Sequence, residues 1–246
     1  MQLGEFETNN IYNVDCYEAI KKLPDKSVDC IYTDIPYLIA KGGCSDNDFS
    51  RRMKRLRDVD LGEIRDGIDY SILAEFVRVM KKVNIFIWCN KNQIYDIMSF
   101  FLTLPFKINS PEILVWKKDN PSPLCNNVWL PDLEYCLYFR ETGVILNDGY
   151  EIKSKWYASP INKSGKDKFH HPTVKPLDLV ERHLLHATQP QDIILDPFLG
   201  SGTTAVAAKN TSRRYIGFEI NSEYYEIAQN RLNNIDANGQ MSLFTF

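Results

Sequence analysis

The chain has 246 residues, of which 44% are hydrophobic and 25% are charged, and its formal net charge at pH 7 is -3. This length suits one large α/β domain with a buried core, and the composition is typical of a globular protein. A protein that is basic over its whole surface is excluded, so any surface that attracts nucleic acid must be local.

Short apolar segments rich in β-branched and aromatic residues recur along the chain and predict buried strands. They lie at 11–14, 28–33, 84–89, 112–116, 134–139, 192–196 and 214–219. Helical patterns separate several of them, at 17–23, 71–82, 175–188, 203–210 and 223–234. Strands that alternate with helices predict an α/β fold with a doubly wound, mostly parallel sheet of seven strands.

The cysteines and the N-terminus bear on the compartment. The sequence opens with "MQLGEFETNN", which has no basic segment followed by an apolar one, so no signal peptide is expected. The apolar runs are far shorter than a membrane span, and no membrane partner is predicted. The six cysteines include no C-x-x-C pair. They indicate reduced, buried thiols of a cytoplasmic protein, and neither a disulfide framework nor a zinc site.

Three segments, 38–69, 117–131 and 141–174, do not fit the regular pattern and are predicted to be irregular. Within the first of them, "RRMKRLR" (51–57) holds five basic residues in seven. Over 41–70, however, seven basic residues meet seven acidic ones. The segment therefore predicts a phosphate clamp, with Arg51, Arg52 and Arg55 as nucleic-acid contacts, or equally a mobile lid or a helix that neutralises its own charge.

Residues 151–175 form the most basic stretch of the chain. Six lysines meet only two acids there, which leaves a local charge of +4, and Trp156, Tyr157 and Phe169 are interleaved. Phosphate-binding charges beside stacking rings are typical of a nucleic-acid surface, although a solvated lysine-rich loop is the alternative. The predicted DNA contacts are Lys153, Lys155, Lys163, Lys166 and Lys168. The neighbouring pair His170 and His171 has no further metal-type ligand at a suitable spacing, so no metal is predicted.

A glycine-rich turn links a strand to a helix in "DIILDPFLGSGTTAVAAK" (192–209). Gly200 and Gly202 allow a sharp turn and a close approach to a ligand, and Thr203 is predicted to cap the helix. Glu219 ends the next strand, where a carboxylate can accept both hydroxyls of a ribose. Asp196 would repel a diphosphate and attract an ammonium group. This combination favours S-adenosylmethionine as the cofactor over a plain turn beside a surface glutamate.

Together, "LDPFLGSGTT" and "YIGFEI" resemble the cofactor-binding motif of amino-group DNA methyltransferases, and "YTDIPY" (32–37) resembles their D-P-P-Y catalytic motif. The catalytic motif comes first, which is the permuted order of the beta group, and "HPTVKP" (171–176) resembles the segment that precedes its cofactor strand. The resemblance implies a Rossmann-like methyltransferase fold, double-stranded DNA as substrate and a target base flipped out of the duplex. It also leads us to expect a homodimer and a modification enzyme encoded by a bacterium or phage.

The resemblance also implies the site residues. Asp34 and the carbonyl of Ile35 would accept the target amine, Pro36 would keep this clamp rigid, and Tyr37 would stack on the base. Ile35 departs from the proline that is usual in the family, so the turn is less enforced. The cofactor contacts are predicted at Asp15, Cys16, Lys175, Asp196, Phe198, Gly200, Ser201, Gly202, Thr203, Glu219 and Ile220. Two of these have alternatives: Asp15 as a helix cap, and Lys175 as an ordinary residue at a helix start.

An acid at the first position of the tetrapeptide favours the N6 amino group of adenine as the target. Cytosine N4 is the near alternative, and RNA or protein-amide methylation fits the order of the motifs less well. A catalytically silent nucleic-acid-binding relative is the alternative from another class. We expect a single methyltransferase domain over 1–246. It has a catalytic half at 1–140, a target-recognition insert at 141–174 and a cofactor-binding half at 175–235.

Overall fold

A mixed sheet forms the centre of the computed structural model, which describes residues 1–38, 67–121, 129–149, 153–161 and 174–233. Eight strands of the described residues build it, in the order β3-β10-β9-β4-β5-β7-β6-β8. Their bounds are β3 Asn10–Asn13, β4 Cys30–Asp34, β5 Asn84–Cys89, β6 Glu112–Lys118, β7 Leu133–Arg140, β8 Trp156–Ser159, β9 Ile193–Asp196 and β10 Arg214–Glu219. A separate antiparallel ribbon pairs β1 (Gln2–Leu3) with β2 (Phe6–Glu7).

The strands from β3 to β5 in this order run parallel, whereas β7 is antiparallel to both β5 and β6. The helices of the described residues are α1 Cys16–Ala19, α2 Ile72–Val79, α3 Ile94–Leu102, α4 Leu177–Ala187, α5 Thr203–Asn210 and α6 Ser222–Leu232, with a 3-10 turn at Ile20–Lys22. No helix among them is long and apolar enough to cross a membrane. The fold is the predicted α/β class with a mostly parallel sheet.

The central strands are mainly apolar because helices cover both faces of the sheet. In β5, for example, Ile85 and Ile87 belong to one core cluster and Phe86 and Trp88 to the other. The first cluster also contains buried residues of α2 and α3, and the second those of α4 and α5. Alternate side chains of one strand therefore pack against different helices, which fixes the register of the strand.

The prediction is wrong on the number of strands in the sheet. The sheet has eight strands in place of seven, because β8 lies inside 141–174, which was predicted to be irregular, and forms an edge of the sheet by pairing in parallel with β6. Helix α3 was also missed, although Ile94, Ile97, Met98 and Phe101 have the i, i+3, i+4, i+7 spacing of a buried helix face. The seven predicted strands are all present, and β5, β10 and α5 have the predicted bounds.

Candidate active site

Four carboxylates meet at one edge of the sheet, around a cavity of about 520 Å³. Asp34, Asp196 and Glu219 are the last residues of β4, β9 and β10, and Asp15 follows β3. Because these strands are parallel, their carboxyl ends lie on the same side, where open α/β sheets bind ligands. The structure thus brings the four predicted acids together at one cavity, and their roles there stay predictions.

The glycine turn is fastened to the end of β10. The N–H of Gly200 donates to Oε2 of Glu219 at 2.7 Å, and the N–H of Asn221 donates to Oε1 at 2.8 Å. A carboxylate can accept several hydrogen bonds, so the role of Glu219 in holding the turn is compatible with contact to a ribose hydroxyl. The same side chain can therefore position the loop and contact a nucleoside.

The cap of α5 differs from the prediction. Gly202, with φ +81°, is the N-cap, and Thr203 is the first helical residue. A Cβ atom on Gly202 would lie 2.8 Å from Cβ of Ala228 on α6, so only glycine suits both the backbone angle and this close packing. The hydroxyls of Ser201 and Thr203 accept from Arg231, a residue that the sequence analysis did not single out. Arg231 thereby stabilises the glycine turn from α6.

Asp196 is a buried carboxylate that faces the cavity. Its Oδ1 accepts the N–H of Phe198 at 3.1 Å. Burial raises the pKa of Asp196 to about 7, although the hydrogen bond from the N–H of Phe198 opposes this rise. An ammonium group placed beside it would favour the ionised form, which supports the predicted role.

The remaining predicted cofactor residues line the cavity as well, whereas Gly202 is not among the residues that line it. Asp15 is the N-cap of α1 and accepts the N–H of Tyr17 at 2.8 Å. It therefore caps the helix, as the alternative interpretation predicted, and also lines the cavity. Phe198 packs edge to face on Tyr17, with ring centroids 6.2 Å apart. Cys16 is buried and Ile220 is 53% exposed. Their contacts with a cofactor remain predictions.

The catalytic tetrapeptide continues the hydrogen bonding of the sheet. The N–H of Ile35 donates to the carbonyl of Trp88 at 3.2 Å, and the Ile35 side chain is 1% exposed. The carbonyl of Pro36 accepts from Gln93 at 2.9 Å. A proline at position 35 could not donate this backbone bond. Isoleucine therefore compensates for the missing ring with a hydrogen bond and a buried side chain.

Restoring the family residue should consequently harm this protein. We expect Ile35→Pro to lower the free energy of unfolding by about 2 to 3 kcal/mol, because it removes a backbone hydrogen bond and buried methyl groups. The matched variant Ile35→Val keeps the N–H and should cost only about 1 kcal/mol. Urea unfolding measures both. Equal stability of Ile35→Pro and the wild type would contradict this account of the substitution.

Lys175 faces the Asp34 carboxylate. Its Nζ donates to Oδ2 of Asp34, to Oε2 of Glu134 at 2.9 Å and to the hydroxyl of Tyr37 at 3.3 Å. The residue is 7% exposed and lies over the Trp88 ring. These three acceptors match the three N–H donors of an ammonium group. The contact of Lys175 with the cofactor remains a prediction. The alternative, an ordinary residue at the start of a helix, does not account for the three contacts of the ammonium group.

The ion pairs of this cluster determine which of the groups around Asp34 are charged. Burial raises the pKa of Asp34, and the ammonium of Lys175 opposes that rise. Burial alone would lower the pKa of Lys175, but the carboxylates of Asp34 and Glu134 raise it above its usual value. Although burial acts in the opposite direction, Lys175 and Lys118 hold the pKa of Glu134 at about 2. Lys175 and Glu134 are thus both charged at neutral pH.

Asp34 keeps acceptor capacity beyond the lysine. Its side chain is 29% exposed and lines the cavity, while Oδ1 is buried without a hydrogen-bond partner among the described residues. A buried carboxylate oxygen without a donor is costly, and such groups are concentrated at functional sites. An N–H donor that enters the cavity beside Asp34 would remove this cost.

Of the predicted DNA contacts, two can be placed. Lys153 pairs with Asp148 at 2.8 Å and Lys155 with Glu112 at 2.5 Å, both in exposed positions. Arg51, Arg52, Arg55, Lys163, Lys166 and Lys168 lie outside the described residues. Within the described ranges, no group of three or more His, Cys, Asp or Glu could hold a metal ion. The cysteines in these ranges, Cys16, Cys30, Cys89 and Cys136, are buried and free.

Comparison with known proteins identifies the family. The sequence profile described as DNA methylase matches residues 28–230. The chain belongs to this family. Type II methyltransferase M2.DpnII of Streptococcus pneumoniae is 33% identical over 241 positions, which cover 89% of this chain and 87% of that protein. Type II methyltransferase M2.LlaDCHI of Lactococcus lactis subsp. cremoris is 32% identical over 252 positions, which cover 93% of this chain and 91% of that protein.

Among solved structures, the M1.HpyAVI–SAM complex is similar to this methyltransferase with a TM-score of 0.68 at 28% identity. The match covers 91% of this chain and 98% of that chain. The prediction of a beta-group amino-DNA methyltransferase with a Rossmann-like fold is confirmed. S-adenosylmethionine is the cofactor of this family, so the cofactor prediction is confirmed at the level of the family. The methyltransferase retains the acidic first residue of the catalytic motif, Asp34, at the cavity.

Proposed function

We propose that this methyltransferase transfers the methyl group of S-adenosylmethionine to the N6 amino group of a flipped-out adenine in double-stranded DNA. The observation that carries the proposal is the Asp34 carboxylate, which lines the cavity, is oriented by Lys175 and has an oxygen without a partner among the described residues. An acid, in place of the serine that is more common in cytosine-N4 enzymes, supports adenine as the target.

The chemistry required of the protein is mainly orientation of a weak nucleophile. The lone pair of an exocyclic amine is delocalised into the ring, and it becomes available when the N–H groups are held by acceptors. Asp34 would accept one N–H and the Ile35 carbonyl the other, while positive charge develops on nitrogen. Tyr37 lines the same cavity and offers a ring on which the base can stack. A base within a duplex cannot reach this cavity, so flipping is part of the proposal.

The residues of the other half of the cavity fit the cofactor. Glu219 would accept the ribose hydroxyls of the cofactor, and Asp196 would face its ammonium end. Phe198 would lie against the adenine ring of the cofactor. When bound, S-adenosylmethionine supplies an electrophilic methyl group on a sulfonium. The chain contributes by holding this group and the amine in line within one enclosed space, which accounts for much of the expected acceleration.

The DNA surface is a separate part of the proposal. The insert at 141–174, between the catalytic and cofactor-binding halves, would carry target recognition through its lysines. The exposed side chains of Lys153 and Lys155 support it, because exposed ion pairs exchange readily for phosphates. Homodimerisation and a cytoplasmic location complete the proposal, and the buried free thiols of the described cysteines support the latter.

The deciding experiment is methylation of mixed-sequence DNA by the purified protein with S-adenosylmethionine, followed by hydrolysis and mass analysis of the nucleosides. We expect N6-methyladenine. Exclusive formation of N4-methylcytosine would overturn the assignment of the base. Cofactor binding without methyl transfer to any DNA would identify a silent relative.

Cofactor binding should depend on pH through Asp196. Since burial raises its pKa to about 7, the carboxyl is partly neutral at pH 6 and gains charge as the pH rises. The α-amino group of the cofactor has a pKa of about 8 and remains cationic over most of this range. Affinity measured by calorimetry should therefore increase several-fold from pH 5.5 to 7.5. Asp196→Asn should bind more weakly and lose this dependence, whereas an identical pH profile in the variant would contradict the role of Asp196.

A further inference from the structure

The catalytic carboxylate belongs to a row of four alternating charges. Asp34 pairs with Lys175, Lys175 with Glu134 at 2.9 Å, and Glu134 with Lys118 at 2.6 Å. The side chains of Glu134 and Lys118 are only 11% and 17% exposed. They reach this place because β7 begins, and β6 ends, at the same sheet edge where β4 ends. Partly buried ion pairs are screened weakly, so each charge acts on the next.

Glu134 makes none of the contacts predicted for cofactor or base. Its Oε2 accepts from Lys175 and from the Tyr37 hydroxyl at 3.3 Å, and its Oε1 pairs with Lys118. The two contacts of Oε2 lead to the tetrapeptide, directly at Tyr37 and through Lys175 at Asp34, and the pair with Lys118 holds Glu134 itself. The residue therefore acts on the reaction through other side chains.

We propose that Glu134 is a positioning residue of the catalytic centre, which together with Lys118 holds the Lys175 ammonium and cancels its charge, so that Asp34 remains a strong acceptor for the substrate amine. This inference rests on the proposed function. The four charges sum to zero as two carboxylates and two ammonium groups. Without Glu134 the sum is +1, beside the nitrogen on which positive charge develops during transfer.

The ionisable groups around Asp34 come from several neighbouring elements. Lys175 ahead of α4, Glu134 of β7 and Tyr37 act on Asp34 itself. Asp34 in turn raises the pKa values of Asp196 of β9, Cys89 of β5, Cys136 of β7 and Tyr32. Of these, Glu134 raises the pKa of Asp34 and Lys175 lowers it. Loss of the Glu134 charge should therefore make Asp34 more acidic and a weaker acceptor.

The test is Glu134→Gln, which keeps an oxygen for Lys175 but removes the charge. We expect the single-turnover rate of methyl transfer to fall about tenfold, less than for removal of a group that touches the amine. The acid limb of the pH–rate profile should move to lower pH, a shift that a merely structural role would not produce. The double variant E134Q/K118M restores a zero sum and should recover most of the rate. Lys117→Met, an exposed lysine on the same strand, is the matched control and should change neither quantity.

A readout independent of turnover separates this inference from the proposed function. The titration of Asp34, followed by carbon NMR of labelled aspartate and assigned with Asp34→Asn, should move to lower pH in Glu134→Gln and stay unchanged in Lys117→Met. An unchanged Asp34 titration, or a double variant no faster than Glu134→Gln, would overturn the inference. Absence of methyl transfer by the wild type would instead overturn the proposed function, and the titration would still decide the role of Glu134.

Discussion

Asp34→Ala is expected to abolish detectable methyl transfer while the protein still binds its cofactor. The variant removes the acceptor that faces the amine, and loss of one such electrostatic contact costs about 10² to 10³-fold in rate. The fold should tolerate the change, because Lys175 keeps its partner Glu134 at 2.9 Å. Single-turnover transfer to DNA and calorimetric titration with S-adenosylmethionine measure the two properties separately.

The control for this prediction is Asp119→Ala, which removes an exposed aspartate paired with Lys117 and should leave the rate unchanged. Asp34→Asn is the isosteric companion. An amide can still accept one hydrogen bond, so this variant should retain more activity than the alanine variant. Full activity of Asp34→Ala would refute the assignment of the catalytic acceptor.

Lys175→Met should have the largest combined effect on stability and rate. The ammonium is 7% exposed and faces two carboxylates, and removal of one member of a buried ion pair costs about 3 to 5 kcal/mol. Without this cation the pKa values of both Asp34 and Glu134 rise, because Lys175 opposes the effect of burial on each carboxyl group. The destabilisation is therefore full at neutral pH and is relieved as pH falls and the carboxylates become protonated.

The same substitution should move the acid limb of methyl transfer to higher pH, opposite to the shift expected for Glu134→Gln, because Lys175 opposes the rise in the pKa of Asp34. Urea unfolding at several pH values and pH–rate profiles test both effects. Lys81→Met is the matched control. Lys81 is 51% exposed and pairs with Asp29 on the surface, so its loss should cost less than about 1 kcal/mol. Equal costs for the two lysines would contradict the account of the buried cluster.

Much of the fold was predictable because its central strands are mainly apolar and buried. The run "NIFIWC" is buried at every position of β5, so composition alone marked its bounds. The edge strand β8 was not predicted, since its residues are only half buried and its pairing with β6 comes from tertiary contacts. Local sequence carries little information about such a strand.

The candidate site was predictable where a motif lies within a continuous segment. Asp34, Asp196 and Glu219 end strands beside recognisable turns, and all three line the cavity. Glu134 and Arg231 could not be found in this way, because each meets its partners only through the fold. Glu134 is 41 residues from Lys175 in sequence, and no local pattern predicts their contact.

The parallel pairing of β4 with β9 has a consequence for how the enzyme is made. Cys30 lies beside Ile194, so the two halves of the cavity are joined by strands more than 160 residues apart. Contacts of such long range close late and slow the search for the native state. During synthesis Asp34 emerges early, but the strand beside it emerges only when about four fifths of the chain has been translated. A ribosome-bound nascent chain that lacks β9 would therefore be unable to modify DNA, and activity would begin only when β9 has paired with β4 in the sheet.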